Sequence, residues 1–108
     1  MHRAPETLRL RTDYCDQNAR LLWRRYGNGR TALSFVSTDI GTPLATATIN
    51  LVDQPLPDGC THIKDWSENA GMVACLVAAG IVELIRPVIV NHLQETLYRW
   101  LVEPGESA

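Results

Sequence analysis

The stretch from residue 62 to residue 69 contains most of the side-chain types that enzymes use for acid–base or nucleophilic chemistry. They are His62, Lys64, Asp65, Ser67, Glu68 and Asn69. A hydrolase needs a nucleophile, a base and an orienting group within hydrogen-bond reach of one another. Here the residues are nearly consecutive just before a predicted helix, where Asp, Ser, Glu and Asn serve as caps. The pattern therefore favours a capping role, and we predict no catalytic residue and no enzymatic activity.

A bound anion or a metal ion would be the other chemical use of this stretch. The backbone amides of a helix N-terminus attract anions, but Asp65 and Glu68 would repel one. A metal ion needs His, Cys and acidic side chains at ligand spacing. Cys60 and His62 lie two residues apart, whereas the other two histidines are distant in sequence. The sequence therefore predicts neither a metal nor another cofactor.

Cysteine usage and hydropathy indicate the cellular compartment. Cys15, Cys60 and Cys75 are widely spaced and odd in number. They form no Cys-x-x-Cys pair, so we expect three reduced thiols instead of a disulfide framework or a zinc ribbon. No apolar run approaches the roughly 20 residues that span a bilayer, and the N-terminal residues lack the apolar core of a signal peptide. We expect a cytoplasmic protein that does not bind membranes.

The charged residues are distributed unevenly along the chain. The formal net charge is −2, yet residues 1–30 contain seven arginines and only three acids. A basic segment of this kind is able to contact phosphates, and Trp23 and Tyr26 within it are able to stack on bases. The negative net charge and the lack of a nucleic-acid-binding motif weigh against that role. Nucleic-acid binding is therefore the alternative hypothesis, and it would use Arg9, Arg11, Arg20, Arg24, Arg25 and Arg30.

The best-defined element is a helix that follows the polar stretch. Asp65 with Glu68 three residues later resembles a capping box. Apolar residues between positions 72 and 77 recur at helical spacing. Gly80 suits the left-handed conformation just past a helix end, and Ile81 is then able to fold back on the last turn. The pattern predicts a helix of about three turns over residues 66–79.

Alternation of apolar and polar residues predicts strands before the helix. Leu8 and Leu10 alternate with arginines, and the run from Gly27 to Gly29 predicts a turn. Residues 13–18 are polar and turn-like. Residues 19–26 fit a strand or a short helix, and we favour the strand. The other predicted strands cover residues 6–12, 31–37 and 44–52, of which the last two form a hairpin. A proline-containing loop at 54–59 and a short extended segment at 61–64 lead into the helix.

The region after the helix allows two interpretations. Residues 81–85 are apolar and β-branched, and we expect Pro87 to end the strand that they form. Residues 88–102 fit a helix with Pro87 at its first position. They also fit two strands that turn at Asn91 and His92. The tail from Glu103 is expected to fray.

These elements predict one α+β domain over residues 1–108. Its sheet would be antiparallel, with about five or six strands and the helix packed on one face. Trp66, Tyr98 and Trp100 fit either interface anchors or core residues, and Trp66 is expected to pack before the helix as a hydrophobic staple. If the basic segment does not bind nucleic acid, Trp23 and Tyr26 are expected to contribute to the core.

Four segments of the chain resemble the DUF4313-like family of small bacterial proteins of unknown function. The most specific segment is Lys-Asp-[aromatic]-Ser-Glu-Asn-x-Gly at residues 64–71. The others are residues 26–33, 45–51 and 76–82. The chain differs from the family in having Ala70 at a position where an acid is usual, and in lacking turn glycines after the helix. The resemblance implies the α+β fold, the strand interpretation of the C-terminus and an origin in plasmids, phages or integrated elements.

The helix has a second small apolar face, formed by Ala70, Ala74, Ala78 and Ala79. A helix that is apolar on both sides is usually covered on both sides, so we expect cover from a second copy or from a host protein. The leading hypothesis is therefore a non-enzymatic protein-binding accessory module. The resemblance to mobile-element proteins suggests an anti-CRISPR-like inhibitor that blocks a bacterial defence complex sterically. Ala74, Ala78 and the six arginines named above are the candidate partner-binding residues.

Overall fold

The computed structural model describes residues 2–90 and 93–105 of the 108-residue chain. The described residues form nine strands, one turn of 3-10 helix and one α-helix. The strands are β1 (His2–Arg3), β2 (Thr7–Thr12), β3 (Cys15–Arg25), β4 (Thr31–Ser37), β5 (Pro43–Thr46), β6 (Cys60–His62), β7 (Val82–Val90), β8 (Leu93–Trp100) and β9 (Val102–Glu103). The 3-10 turn covers Ser67–Asn69, and the α-helix α1 covers Met72–Ala78.

The strands belong to more than one sheet. Strands β2, β3, β4 and β5 form an antiparallel sheet in that order, and β6, β8 and β7 form a second antiparallel sheet. Strands β1 and β9 pair in parallel. The predicted α+β class is confirmed, but the strands are divided among these sheets instead of forming the one sheet that we expected.

The two antiparallel sheets are joined where the chain leaves β5. Thr48 forms an isolated antiparallel bridge with Ile63. Around it, the Lys64 amide donates to the carbonyl of Ala47 at 2.8 Å, and the Ile49 amide donates to the carbonyl of His62 at 3.1 Å. At residues 47–49 the chain therefore stops pairing with β4 and pairs instead with residues 62–64, at the end of β6 and just after it. For this reason β5 ends at Thr46 and does not extend to residue 52 as predicted.

One hydrophobic core connects the sheets and the helix. It contains the inward residues of β2, β3 and β4, together with residues of α1, β7, β8 and β9. Trp23 on β3 and Trp100 on β8 meet edge to face, with ring centroids 5.2 Å apart. Such aromatic pairs add about 0.5–1.5 kcal/mol beyond their buried area. The fully buried members include Leu10, Leu33, Phe35, Met72, Leu76, Ile81 and Val82.

The first hairpin confirms the alternation predicted for its strands. Leu10 is fully buried, whereas Arg9 and Arg11 are exposed. Strand β3 begins at Cys15, so the chain turns within residues 13–14 and residues 15–18 are not the loop that we predicted. The polar residues 16–18 lie in the strand because their side chains are exposed beside β2.

The helix is shorter than predicted. The segment 66–79 contains the 3-10 turn, then a break at Gly71, and only then the seven residues of α1. Two positive φ angles interrupt the predicted helix, 53° at Ser67 and 99° at Gly71. Asp65 does cap α1, because its Oδ1 accepts the Val73 amide at 2.9 Å. The predicted capping box is wrong, since Glu68 pairs with Lys64 instead.

The predicted end of the helix is confirmed in detail. Gly80 has a φ of 73°, in the left-handed region that favours glycine. The Ile81 amide donates to the Leu76 carbonyl at 2.9 Å, and the Gly80 amide donates to the Val77 carbonyl at 3.1 Å. These two bonds define a Schellman motif. Ile81 is fully buried in the same core cluster as Leu76, so it folds back as expected.

The C-terminal hairpin settles the two interpretations of residues 88–102 in favour of strands. Strand β7 continues through Pro87 to Val90 and pairs with β8. The prediction that Pro87 ends the strand is wrong. Because β7 is an edge strand, the missing amide hydrogen is tolerated there, and a bulge between Leu84 and Arg86 precedes it. The predicted turn at Asn91 and His92 lies outside the described residues.

The fraying expected from Glu103 onwards stays a prediction, and residues 103–105 of this tail are described by the structure. Glu103 pairs with Arg3 in the parallel ribbon. A Cβ added at Gly105 would lie 2.8 Å from Cδ1 of Trp23, so the backbone there rests on the indole ring. Residues 106–108 lie outside the described residues.

The aromatic residues divide between core and surface. Of the two alternatives for Tyr98 and Trp100, the structure supports the core position, because both side chains are buried. Trp66 is 40% exposed, so the predicted hydrophobic staple is wrong. The 3-10 turn that replaces the first predicted helical turn moves Trp66 away from the helix start. No helix in residues 2–90 or 93–105 is long and apolar enough to cross a membrane.

Candidate functional site

The polar residues at 62–69 do not converge on one point. His62 and Asn69 are buried at 2% and 1% exposure, whereas Ser67 and Glu68 are exposed. The Asn69 amide group donates to the carbonyl of Thr46 at 2.6 Å, so this side chain attaches the 3-10 turn to β5. Where a side chain in this stretch has an identified partner, it bonds a backbone group or forms an ion pair. Of the capping roles predicted from the sequence, that of Asp65 is present among the described residues, whereas Glu68 and Asn69 bind elsewhere. The expected absence of catalysis stays a prediction.

Lys64 and Glu68 form an ion pair four residues apart. The hydrogen bond from Lys64 lowers the pKa of the Glu68 carboxyl from its usual value of 4.5. Both charges lie on the surface, where such pairs contribute little to folding. This pair marks one end of the groove described below.

The described residues contain no group of three or more His, Cys, Asp or Glu side chains that would hold a metal ion. The three cysteines are free thiols and are all partly buried. Cys75 on α1 donates its thiol hydrogen to the carbonyl of Arg9 at 3.4 Å, which attaches the helix to β2.

Four of the six candidate arginines lie on one side of the first sheet. Arg20 and Arg24 alternate along β3 with the buried residues Leu21 and Trp23, so their side chains leave the opposite face. Arg9 and Arg11 on β2 are paired with Asn18 and Asp16 of β3 and share that face. We call this surface the outer face: the side of strands β2 to β5 that is turned away from the core.

Asp16 neutralises part of the outer face. Its Oδ1 accepts a hydrogen bond from Arg9 Nε at 2.8 Å and lies 3.4 Å from Arg11 Nε. The hydrogen bond from Arg9 is the main cause of a lowered pKa at Asp16. Arg9 and Arg11 are therefore partly satisfied within the molecule.

Arg20 and Arg24 are different, because neither side chain forms an ion pair or hydrogen bond with any residue that the structure describes. Both are exposed. Arg20 Nη2 lies 3.4 Å from where a Cβ on Gly41 would be, so the turn between β4 and β5 leaves room for its guanidinium. These two cations are available to a partner.

Arg25 and Arg30 have structural roles instead. Arg25 donates to the carbonyl of Gly29 at 3.0 Å in the turn between β3 and β4. Arg30 donates to the carbonyl of Leu51 at 2.8 Å and to that of Gln54, which holds the loop after residue 50 against this turn. The structure therefore does not place these two arginines with the other four.

A groove of about 860 Å³ runs along the outer face beside Arg20 and Arg24. Its floor includes Ser34 of β4, which lies between Leu22 of β3 and Thr46 of β5 in the sheet register. The side chain of Ser34 is short, whereas those of Leu22 and Leu44 on the neighbouring strands are longer, which leaves the surface over Ser34 open. We call this site the basic groove; its wall and floor residues include Arg20, Leu22, Arg24, Ser34, Val36, Leu44 and Thr46.

The basic groove combines positive charge with aliphatic surface. Leu22 is half-buried between Arg20 and Arg24, and Leu44 is half-buried on the opposite wall. Phe35 is the aromatic residue among its described lining, and it is fully buried. Trp23 and Tyr26 do not line the groove: Trp23 is buried in the core, and the Tyr26 hydroxyl bonds Thr48 Oγ1 at 2.8 Å. The predicted stacking of Trp23 and Tyr26 on bases therefore has no surface here.

Sequence reasoning found the arginines of this site but missed its apolar part. The signal was present in the alternation of β3, which places Leu22 between Arg20 and Arg24 on one face. The contribution of Ser34 and Thr46 was not visible, because it depends on the register between β3, β4 and β5.

The small-residue face of α1 forms a different surface. Ala74 and Ala78 are exposed and line a shallow depression with Arg11, Asp13 and Cys75. The expectation that this face needs a cover stays a prediction. The depression has about half the volume of the basic groove, about 400 Å³, and its charges include an acid as well as a base.

The chain matches no family model, no curated protein and no solved structure. The resemblance to the DUF4313-like family therefore stays a prediction.

Proposed function

We propose that the protein is a non-enzymatic binding module whose basic groove holds an acidic segment of a partner protein. The observation that supports this proposal is the pair of exposed arginines, Arg20 and Arg24, which bond no residue that the structure describes and flank the half-buried Leu22. Interfaces combine apolar contact area with a few charges that select the partner. A groove with cations and aliphatic walls meets that description for an acidic protein segment.

The mobile-element resemblance extends this proposal to a biological role. An inhibitor that blocks a functional surface of a host complex sterically needs only to bind that surface and to be large enough to cover it. An acidic segment of a nucleic-acid-binding defence complex, or an acidic segment of a homodimer partner, would satisfy the same groove. Steric blocking of a defence complex is our preferred role, and it depends on the resemblance rather than on the geometry.

Affinity capture from a bacterial host lysate tests the proposal when paired variants are compared. The wild-type chain is expected to retain a protein in stoichiometric amount, and the double variant Arg20→Glu with Arg24→Glu is expected to lose it. The matched control is Arg86→Glu with Arg99→Glu, which changes the net charge equally on the second sheet. Equal retention by both double variants, or retention by neither the wild type nor the control, would contradict the proposal.

Nucleic-acid binding is the second candidate, because four arginines share the outer face. Electrostatic binding to phosphates weakens steeply as salt rises, whereas binding through an aliphatic groove depends less on salt. Titration of single-stranded DNA at low and moderate salt decides between them. Tight binding to DNA at low salt that is lost in the Arg20→Glu, Arg24→Glu variant would favour this second function.

A further inference from the structure

We infer that the basic groove selects an extended segment with acidic residues at positions i and i+4 and an apolar residue at i+2. This inference rests on the proposed function and specifies the partner. Its basis is the spacing of three groove residues on one strand, Arg20, Leu22 and Arg24.

The spacing of the two cations comes from strand geometry. Alternate residues of a strand lie on the same face, and each residue advances about 3.3 Å. The Cα atoms of Arg20 and Arg24 are therefore separated by about 13 Å along β3, with Leu22 midway. Two carboxylates on a ligand must have a similar separation if each is to pair with one arginine.

An extended ligand reproduces this pattern residue for residue. Its own residues at i, i+2 and i+4 lie on one face with the same separation of about 13 Å. An acid at each end would then meet an arginine, and the central apolar side chain would lie beside Leu22 and above Ser34. A helix places i and i+4 only about 6 Å apart, so a helical ligand with the same sequence spacing cannot reach both cations.

The shape of the groove also favours an extended segment. The small outward side chain of Ser34 makes a channel along β4, and on the channel floor its hydroxyl hydrogen-bonds the hydroxyl of Thr46 on the neighbouring strand at 3.1 Å. These hydroxyls offer hydrogen-bond donors and acceptors to the ligand. The channel is closed at one end by the ion pair of Lys64 with Glu68 and bordered at the other by Gly41 and Pro43.

The turn beyond Pro43 provides an additional apolar contact. Ile40 is 85% exposed at the tip of the connection between β4 and β5. Its amide is fixed by the side chain of Asp39, whose Oδ1 accepts that hydrogen bond at 2.6 Å. An exposed isoleucine on a fixed turn is suited to contact a ligand residue that leaves the channel.

Synthetic peptides rich in threonine and valine test the inference by fluorescence anisotropy. The first peptide has aspartates at i and i+4 with leucine at i+2. An isomer of the same composition has adjacent aspartates, and an alanine-rich helical peptide has aspartates at i and i+4. We expect the first peptide to bind about twofold to fivefold more tightly than either control, the gain that one additional exposed ion pair provides.

Variants of the protein test whether the first peptide binds in the basic groove. Arg24→Glu and Leu22→Ala are each expected to weaken binding of the first peptide, whereas Arg86→Glu is expected to leave it unchanged. Equal affinity for the three peptides would overturn the spacing while leaving a general acidic partner possible. A lack of binding by all three peptides would overturn the inference, and the lysate capture would still decide the proposed function independently.

Discussion

Gly71 is the residue on which the approach of the helix to the first hairpin depends. Its φ of 99° is strained for any residue with a side chain, and an added Cβ would lie 3.2 Å from Cα of Thr12. The neighbouring Ala70 carbonyl accepts the Asp13 amide at 2.8 Å. The backbone between the 3-10 turn and α1 is thus packed directly on the turn between β2 and β3.

Replacement of Gly71 by alanine is therefore expected to lower the free energy of unfolding by about 1–3 kcal/mol. Urea denaturation measures the change. The matched control is Gly27→Ala, because an added Cβ there meets no atom within 4 Å. We expect the control to stay within about 0.5 kcal/mol of the wild type. Equal effects of the two substitutions would show that Gly71 is not a packing constraint.

The ion pair of Glu68 with Lys64 predicts how the folding stability changes at acidic pH. The hydrogen bond from Lys64 lowers its pKa below the usual 4.5, so the unfolded chain binds a proton more readily than the folded chain. The contribution of Glu68 is then fully present above pH 4.5 and is lost as the pH falls through the lower folded pKa. The variant Glu68→Gln should be less stable than the wild type at pH 7.

The difference between Glu68→Gln and the wild type is expected to shrink towards zero as the pH is lowered from 5 to about 2, because the wild-type carboxyl is then protonated. Thermal unfolding at several pH values measures it. A difference that stays constant over this range would mean that the Lys64 pair does not cause the stabilisation.

At the scale of elements, α1 shows how a short helix is held. Seven residues are too few for an isolated helix to be stable in water. The helix depends instead on buried residues, on the Asp65 cap at its start and on the Schellman motif at its end. Tertiary contacts therefore supply the stability that a helix of seven residues lacks on its own.

Substitutions on the two faces of α1 should therefore differ sharply. Leu76 is fully buried, so Leu76→Ala is expected to cost about 2–5 kcal/mol. The adjacent Val77 is 46% exposed, and Val77→Ala should cost less than about 1 kcal/mol. Guanidinium denaturation of both variants provides the comparison. Similar losses would mean that α1 packs through a different face.

The elements also show why some features were predictable and others were not. The Schellman motif at Gly80 and the alternation of β2 depend on nearby residues, and both were predicted correctly. The early end of β5 depends on pairing between Thr48 and Ile63, and the passage of β7 through Pro87 depends on its edge position. Pairing partners that are distant in sequence cannot be read from local pattern.

The candidate site, like the fold, was predictable only where it depends on residues that are close in sequence. The arginines of β3 were identified from the sequence because charge is a local property. Their separation from Arg25 and Arg30 was not, because it follows from hydrogen bonds to the carbonyls of Gly29 and Leu51. The groove itself could not be predicted, because its shape depends on the register of three strands.

At the scale of the whole molecule, the fold collects one sign of charge on one surface. The chain is acidic overall, with a net charge of −2, yet Arg9, Arg11, Arg20 and Arg24 share the outer face with Asp16, and the one acid that lines the described part of the basic groove, Glu68, is paired with Lys64. A local positive field of this kind increases the rate at which an acidic partner associates. The half-buried Leu22 then supplies contact area that charge alone does not.

Chemical-shift mapping by two-dimensional ¹H–¹⁵N NMR tests the central claim most directly. The uniformly labelled protein is titrated with polyglutamate. The account predicts saturable shifts centred on the amides of Leu22, Ser34 and Thr46, which are lost in the Arg20→Glu, Arg24→Glu variant. Shifts centred on Ala74 and Ala78, or no saturable shifts at all, would contradict it.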